Sequence, residues 1–163
     1  MVRIAPVFFV LLSLISTPAF AKSIVRVTLA TPYAIAFPDQ SGATPKVPSM
    51  AFGMNLTFPI GSGVTWQIEP AAVVPNVLFQ PAARLSTAIS IKLSENTALG
   101  LGGFYQLNPG YTGKSLSHLG VVSVAPSVAV TREVSLSLAV GGGLTSEGVP
   151  LLVFGPKIAF LLP

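Results

Sequence analysis

Four ionisable residues sit inside stretches that otherwise alternate between bulky and small side chains: Arg26, Glu69, Lys92 and Lys157. Each falls in step with the small residues: Arg26 in "IVRVTLA", Glu69 in "VTWQIEPAAV", Lys92 in "LSTAISIKL", Lys157 in "FGPKIAF". One carboxylate and three cations on a single face suit an ion pair. Glu69 and Lys157, both mid-stretch, are the expected partners, with Arg26 or Lys92 competing from nearer the ends. A second constellation has the residue types of a hydrolase: Ser115 and Ser117 beside His118, with Glu147 further on. Nucleophile, base and orienter are present in kind. However, Ser-x-Ser-His is common by chance and no nucleophile elbow occurs, so no catalytic residue is expected. With no Cys and a single His, neither a zinc site nor a disulfide is available, and no cofactor is expected. The glycines at 100–103 and 141–143 precede no helix, so they are not phosphate loops. Small inward side chains and close strand approach explain them better.

These residues need strands to position them. The alternation predicts eight, near 24–37, 49–58, 64–73, 84–93, 97–106, 119–130, 134–144 and 151–162. No segment longer than a turn has helical periodicity, and Gly and Pro number 15 each. Short connectors ("PIGSG", "SEN", "TRE") alternate with longer ones ("PDQSGATPKVP", "VPNVLFQPAA", "QLNPGYTGKSLSH", "TSEGVP"). In an up-and-down arrangement that puts every short turn at one end. Pro32, Pro126 and Pro156 interrupt the pattern, and bulges or strand ends are expected there because Pro lacks the ladder donor.

The two faces differ sharply. One carries Val25, Val27, Leu29, Phe52, Met54, Leu56, Phe58, Trp66 and Ile68. It continues through Val122, Val124, Leu136, Leu138, Phe154 and Phe160, with no Asp, Glu, Lys or Arg. The other holds the four charges among Asn55, Thr57, Gln67, Ser86, Ser90, Ser135 and Ser137, with many Ala and Gly. The remaining charges fall in connectors or at termini. Lys46, Arg84 and Lys114, in or beside the long connectors, are candidates for lipid-phosphate contact, although plain solvation is the more frequent use of dispersed charges.

The ends and the composition say where such a sheet belongs. "MVRIAPVFFVLLSLISTPAFA" has a basic start, an apolar run and the small-x-small site Ala19-Phe20-Ala21. It reads as a secretory signal over residues 1–21, leaving 22–163 as one domain. Charged residues are 9% of the chain, against about 25% in ordinary soluble domains. Hydrophobic residues are 51%, yet beyond the leader no apolar run is long enough for a membrane helix. Nine Lys and Arg stand against five Asp and Glu, scattered rather than striped, which excludes a nucleic-acid footprint.

Two architectures can use this pattern. A soluble periplasmic, lipocalin-like carrier would turn the bulky apolar set inward around an apolar ligand. A transmembrane barrel would turn it outward to lipid. With four charges over eight strands, the carrier's water-facing surface would be poorly soluble. An eight-stranded barrel also has room inside only for side chains. In lipid, a Lys or Arg at mid-bilayer costs about 2–4 kcal/mol, so an uncharged outer face is what lipid demands. The expected fold is therefore all-β: an eight-stranded antiparallel up-and-down transmembrane β-barrel. Aromatics near strand ends suggest two girdles: Phe58, Trp66 and Phe160 toward the short turns, Phe37, Phe52, Tyr105 and Phe154 toward the long loops.

Over residues 24–162 the chain resembles small bacterial outer-membrane barrels of the OmpA-domain and OmpX type: leader, eight alternating strands, three short turns, four longer loops. The resemblance lies in architecture, not in a family motif. It implies an outer-membrane location and lipid as a partner, with surface ligands reached through the long loops. The implied role is structural, adhesive or that of a minor pore, without catalysis. A lipid-modifying hydrolase using His118 is the third alternative. One departure is the ending "KIAFLLP", where such barrels carry an aromatic terminal residue; Phe160 is the nearest substitute.

Overall fold

The computed structural model describes residues 23–36, 46–75, 82–107 and 118–162, without the side chains of 36, 46–48 and 75. The proposed leader, residues 1–21, lies outside them, as does most of three of the four long connectors. The strands are β1 (Ile24–Ala30), β2 (Tyr33–Ala36), β3 (Lys46–Gly61), β4 (Val64–Pro75), β5 (Ala82–Lys92), β6 (Thr97–Leu107), β7 (His118–Ala129), β8 (Val134–Thr145) and β9 (Pro150–Leu161). All pair antiparallel, and the sheet closes on itself because β1 and β2 each pair with both β3 and β9. β1 and β2 are two halves of one strand, so the barrel is eight-stranded. Closure leaves no edge with unpaired amides.

Two short turns use one device. Ser94 Oγ accepts hydrogen bonds from the amides of Asn96 (3.3 Å) and Thr97 (3.1 Å). Thr131 Oγ1 accepts from those of Glu133 and Val134, both 3.1 Å. In each, a hydroxyl at the first position satisfies two amides that the ladder has not yet reached. The third turn places Gly63 at φ 72°, a left-handed conformation that favours glycine. The fourth connector at the other end, "TSEGVP", is more compact than its sequence suggests: only residues 146–149 separate β8 from β9. Thr145 Oγ1 accepts from Val149 N (3.1 Å), and Gly148 takes φ 76°.

The prolines behave differently from one another. Pro32 divides β1 from β2, but no residue is inserted: Ala30 pairs with Lys157 and Tyr33 with Phe154, the same register. Its carbonyl accepts from the amide and the hydroxyl of Ser49, both 3.2 Å. Pro126 and Pro156, expected at bulges or strand ends, lie inside continuous strands. The lost donors are accommodated by local lapses, and at Pro156 the lapse falls between the pairs Ala30–Lys157 and Tyr33–Phe154. The β7–β8 pairing skips from Val124–Val140 to Ser127–Ser137 without changing register. A similar lapse in β3–β4, from Gly53–Ala71 to Leu56–Ile68, sits at Pro70. Among the described residues the one true register shift lies between Pro59 and Gly61.

The faces orient as the alternation requires of a membrane barrel. Trp66 (43%), Leu136 (40%), Phe154 (39%) and Val122 (76%) are exposed on the outside, while Ser90 is buried within. A water-borne container would need the reverse. Leu56 shares the outward register but is buried. Inside, the small residues permit close strand approach. A Cβ on Gly143 would run into the carbonyl oxygen of Gly120 and lie 2.8 Å from Val121 Cα, whereas one on Gly120 meets nothing within 4 Å. Gly143→Val is therefore expected to abolish the compact, heat-modifiable gel band by forcing β7 and β8 apart. Gly120→Val is expected to retain it. Overpacking of this kind costs at least about 1–3 kcal/mol.

Candidate functional site

The inward residues of β3, β4, β5 and β9 build one polar network around Glu69, which is 3% exposed. Lys157 Nζ, on β9, donates to Glu69 Oε2 at 3.0 Å. Only β1/β2 and β3 lie between β9 and β4, so a lysine stem can bridge the lumen. From β3, Asn55 Nδ2 donates to Glu69 Oε2 (3.5 Å) and to Gln67 Oε1 (3.4 Å). Thr57 Oγ1 fixes that amide by donating to Asn55 Oδ1 at 2.7 Å. On the other side Arg84 Nη2 stands 3.9 Å from Glu69 Oε1. Its guanidinium lies over the Phe104 ring, 5.1 Å from the centroid, a cation–π arrangement.

The expected partners Glu69 and Lys157 are thus in contact, but the second cation is Arg84 rather than Arg26 or Lys92. The placement of Arg84 is a correction. It belongs to β5, two residues past the strand's start, and is only 7% exposed inside the barrel, so it does not reach lipid phosphates. The signal was present: Arg84 shares alternation with Ser86, Ala88 and Ser90, and the strand begins at Ala82 rather than at 84. Arg26 points inward and lines the central cavity. Lys92 has inward parity but is exposed at the turn-side rim, where its amide donates to Gly63 O at 2.7 Å. Lys114 lies outside the described residues, and Lys46 opens β3 with its side chain outside them.

The lumen is layered. Toward the long loops an apolar cluster of Leu119, Val121, Leu151 and Val153, joined by Ala34, Phe104 and Val149, packs on the inner face. Beside it Ala30, Ala51, Val73 and Ala82 pack across four neighbouring strands. That inward apolar layer is a departure from the expected small and polar interior, and Phe104 is its largest surprise. Around and below the charges runs a cavity of about 160 Å³, lined by Arg26, Arg84, Glu69, Lys157 and hydroxyls such as Ser90 and Ser137.

Outside, two aromatic pairs flank the strands at opposite ends: Phe58–Trp66, with ring centroids 5.8 Å apart, and Tyr33–Phe154 at 5.3 Å. Phe37 lies outside the described residues. Trp66 Nε1 donates to Thr87 Oγ1 at 2.9 Å, so the indole needs no water partner. His118, at the start of β7, is exposed, with Nδ1 2.7 Å from Tyr105 Oη. In a hydrolytic triad that nitrogen would face a carboxylate; here it faces a phenol. Ser115 and Ser117 lie outside the described residues.

Closure, strand number and an uncharged outer face together settle the architecture. The chain has the fold of an eight-stranded transmembrane β-barrel. A de novo designed transmembrane β-barrel is similar over 90% of this chain and 98% of its own, at TM-score 0.53 and 10% identity. Neisserial surface protein A is similar over 86% of this chain and 97% of its own, at TM-score 0.50 and 13% identity. At such identities the likeness is one of fold. No protein-family model and no curated protein matches the sequence. Within this barrel fold the interior differs from a simple water-filled bore in having an apolar layer over a charged one.

Proposed function

We propose that the protein is a small outer-membrane β-barrel, exported through its N-terminal leader, with a structural or surface-interaction role and a sealed interior. The observation that carries this is the outer face. From Val27 through Trp66, Leu101 and Val124 to Leu138 and Phe154, exposed bulky residues form a belt without a charge among the described strand interiors. So large an apolar surface has no place in water and matches hydrocarbon. The apolar layer of Leu119, Val121, Leu151 and Val153 favours a plug over a conducting pore, since such a constriction excludes water and ions. Outer-membrane lipids are the partners of the belt, and surface ligands would be met through the longer loops at one end. Catalysis is not part of this role, and Tyr105 in place of a carboxylate beside His118 supports that.

Trp66 is the single tryptophan and faces outward, so it reports directly on the surroundings of the belt. After refolding into vesicles, brominated acyl chains are expected to quench its emission more than aqueous iodide does. Efficient quenching by iodide, with none by the brominated lipid, would remove the membrane assignment. Planar-bilayer recording of the same protein is expected to give no steady currents.

A further inference from the structure

The lumen carries more positive charge than it neutralises. Among the described residues three cations, Arg26, Arg84 and Lys157, line the central cavity with one carboxylate, Glu69. The described acids Glu95, Glu133 and Glu147 sit in connectors. Two positive charges are therefore left over inside a cylinder whose outer wall is apolar. Charge in such surroundings is costly unless paired. Geometry adds a second sign. Arg84 is 93% buried, and its Nε has no hydrogen-bond partner among the described residues. Its nearest carboxylate oxygen is 3.9 Å from Nη2, a loose contact that leaves donor capacity unspent. Beside it the cavity of about 160 Å³ has room for about five water-sized groups at the ~30 Å³ each occupies in the liquid. Hydroxyls of Ser86, Ser90, Ser123 and Ser137 face the same space, able to donate to an anion.

We propose that the barrel lumen binds a small inorganic anion of halide type, held by Arg84 with Lys157 and Arg26 supplying the surrounding field. Glu69 then sets the occupancy by cancelling part of that field. The apolar layer above blocks escape toward the loops, so exchange runs through the end bearing the short turns, where the lining is Ser, Ala and Gly. The site is internal and stands whether the belt meets lipid or another apolar partner.

The test uses the full barrel refolded in neutral detergent, unfolded by urea at constant ionic strength in sodium chloride, bromide or gluconate. Chloride and bromide are expected to raise the unfolding midpoint with saturation, and bulky gluconate to have no such effect. Glu69→Gln is expected to lower the half-saturating halide concentration by about tenfold or more, since it removes a unit negative charge close to the site. Arg84→Met is expected to abolish the saturable component. Crystals grown in bromide are expected to show an anomalous peak beside Arg84, a readout that needs no variant to fold. Equal midpoints in all three salts, or a bromide-soaked lumen without that peak, would overturn the proposal.

Discussion

Glu69→Gln is expected to destabilise the folded barrel by about 3–5 kcal/mol in a buffer whose anion is gluconate. The amide keeps the shape of the side chain but removes the only described negative charge in the lumen. Lys157, 3.0 Å from Oε2, and Arg84, 3.9 Å from Oε1, are then left facing each other. The cost falls unevenly on the two cations. The Arg84 side chain is 6% exposed and cannot recover solvent, whereas that of Lys157 is 29% exposed and can. Lys157→Met alone should therefore cost less than Glu69→Gln. Combining the two substitutions should recover part of the loss, because the double variant removes one of the cations left unpaired. Urea unfolding followed by Trp66 fluorescence measures all three. A Glu69→Gln barrel as stable as the parent in gluconate would mean that water already compensates these charges.

The second large effect lies on the outer surface. Leu138 in β8 is 48% exposed, and its β9 partner Pro156 lies between Phe154 and Phe160, which belong to the two opposite aromatic ends. In a bilayer Leu138→Arg is expected to cost about 2–4 kcal/mol, with much of the chain failing to fold into vesicles. Were the same face in water, an exposed substitution of this kind would fall within about 0.5 kcal/mol of neutral. Ser135→Ala, on the inner face of the same strand, serves as the matched control and is expected to change little. Folding yield into phosphatidylcholine vesicles, read from heat modifiability, separates the cases.

Much of this protein is legible along the chain because a strand repeats every two residues. Once "STAISIK" or "VSLSLAV" is extended, the facing of each side chain relative to its neighbours follows. The eight strand segments, the opposition of a bulky uncharged face to a small polar one, and the inward parity of Arg26, Glu69 and Lys157 all come from that period. So do the turns, where Ser94, Thr131 and Gly63 have local work that neighbouring backbone atoms assign.

Alternation is silent on what meets across a lumen. Alternation puts Arg84 in step with Ser86 and Ser90, but that the strand extends back past it is fixed by the pairing of β5 with β4, where Val73 aligns with Ala82. Phe104 is in step with the inward Gly100, Gly102 and Gln106, but only closure shows that it shields Arg84 and completes the apolar layer with Leu119 and Val153. The prolines follow the same logic: Pro126 is absorbed by a lapse between β7 and β8 and Pro156 by one between β9 and β1/β2, where Pro32 breaks the strand opposite Gly155. Local periodicity thus determined which residues point inward and which outward. Closure and stagger of the barrel, which no local sequence encodes, decided which inward residues touch: Glu69 with Lys157 and Arg84 rather than with Arg26 or Lys92.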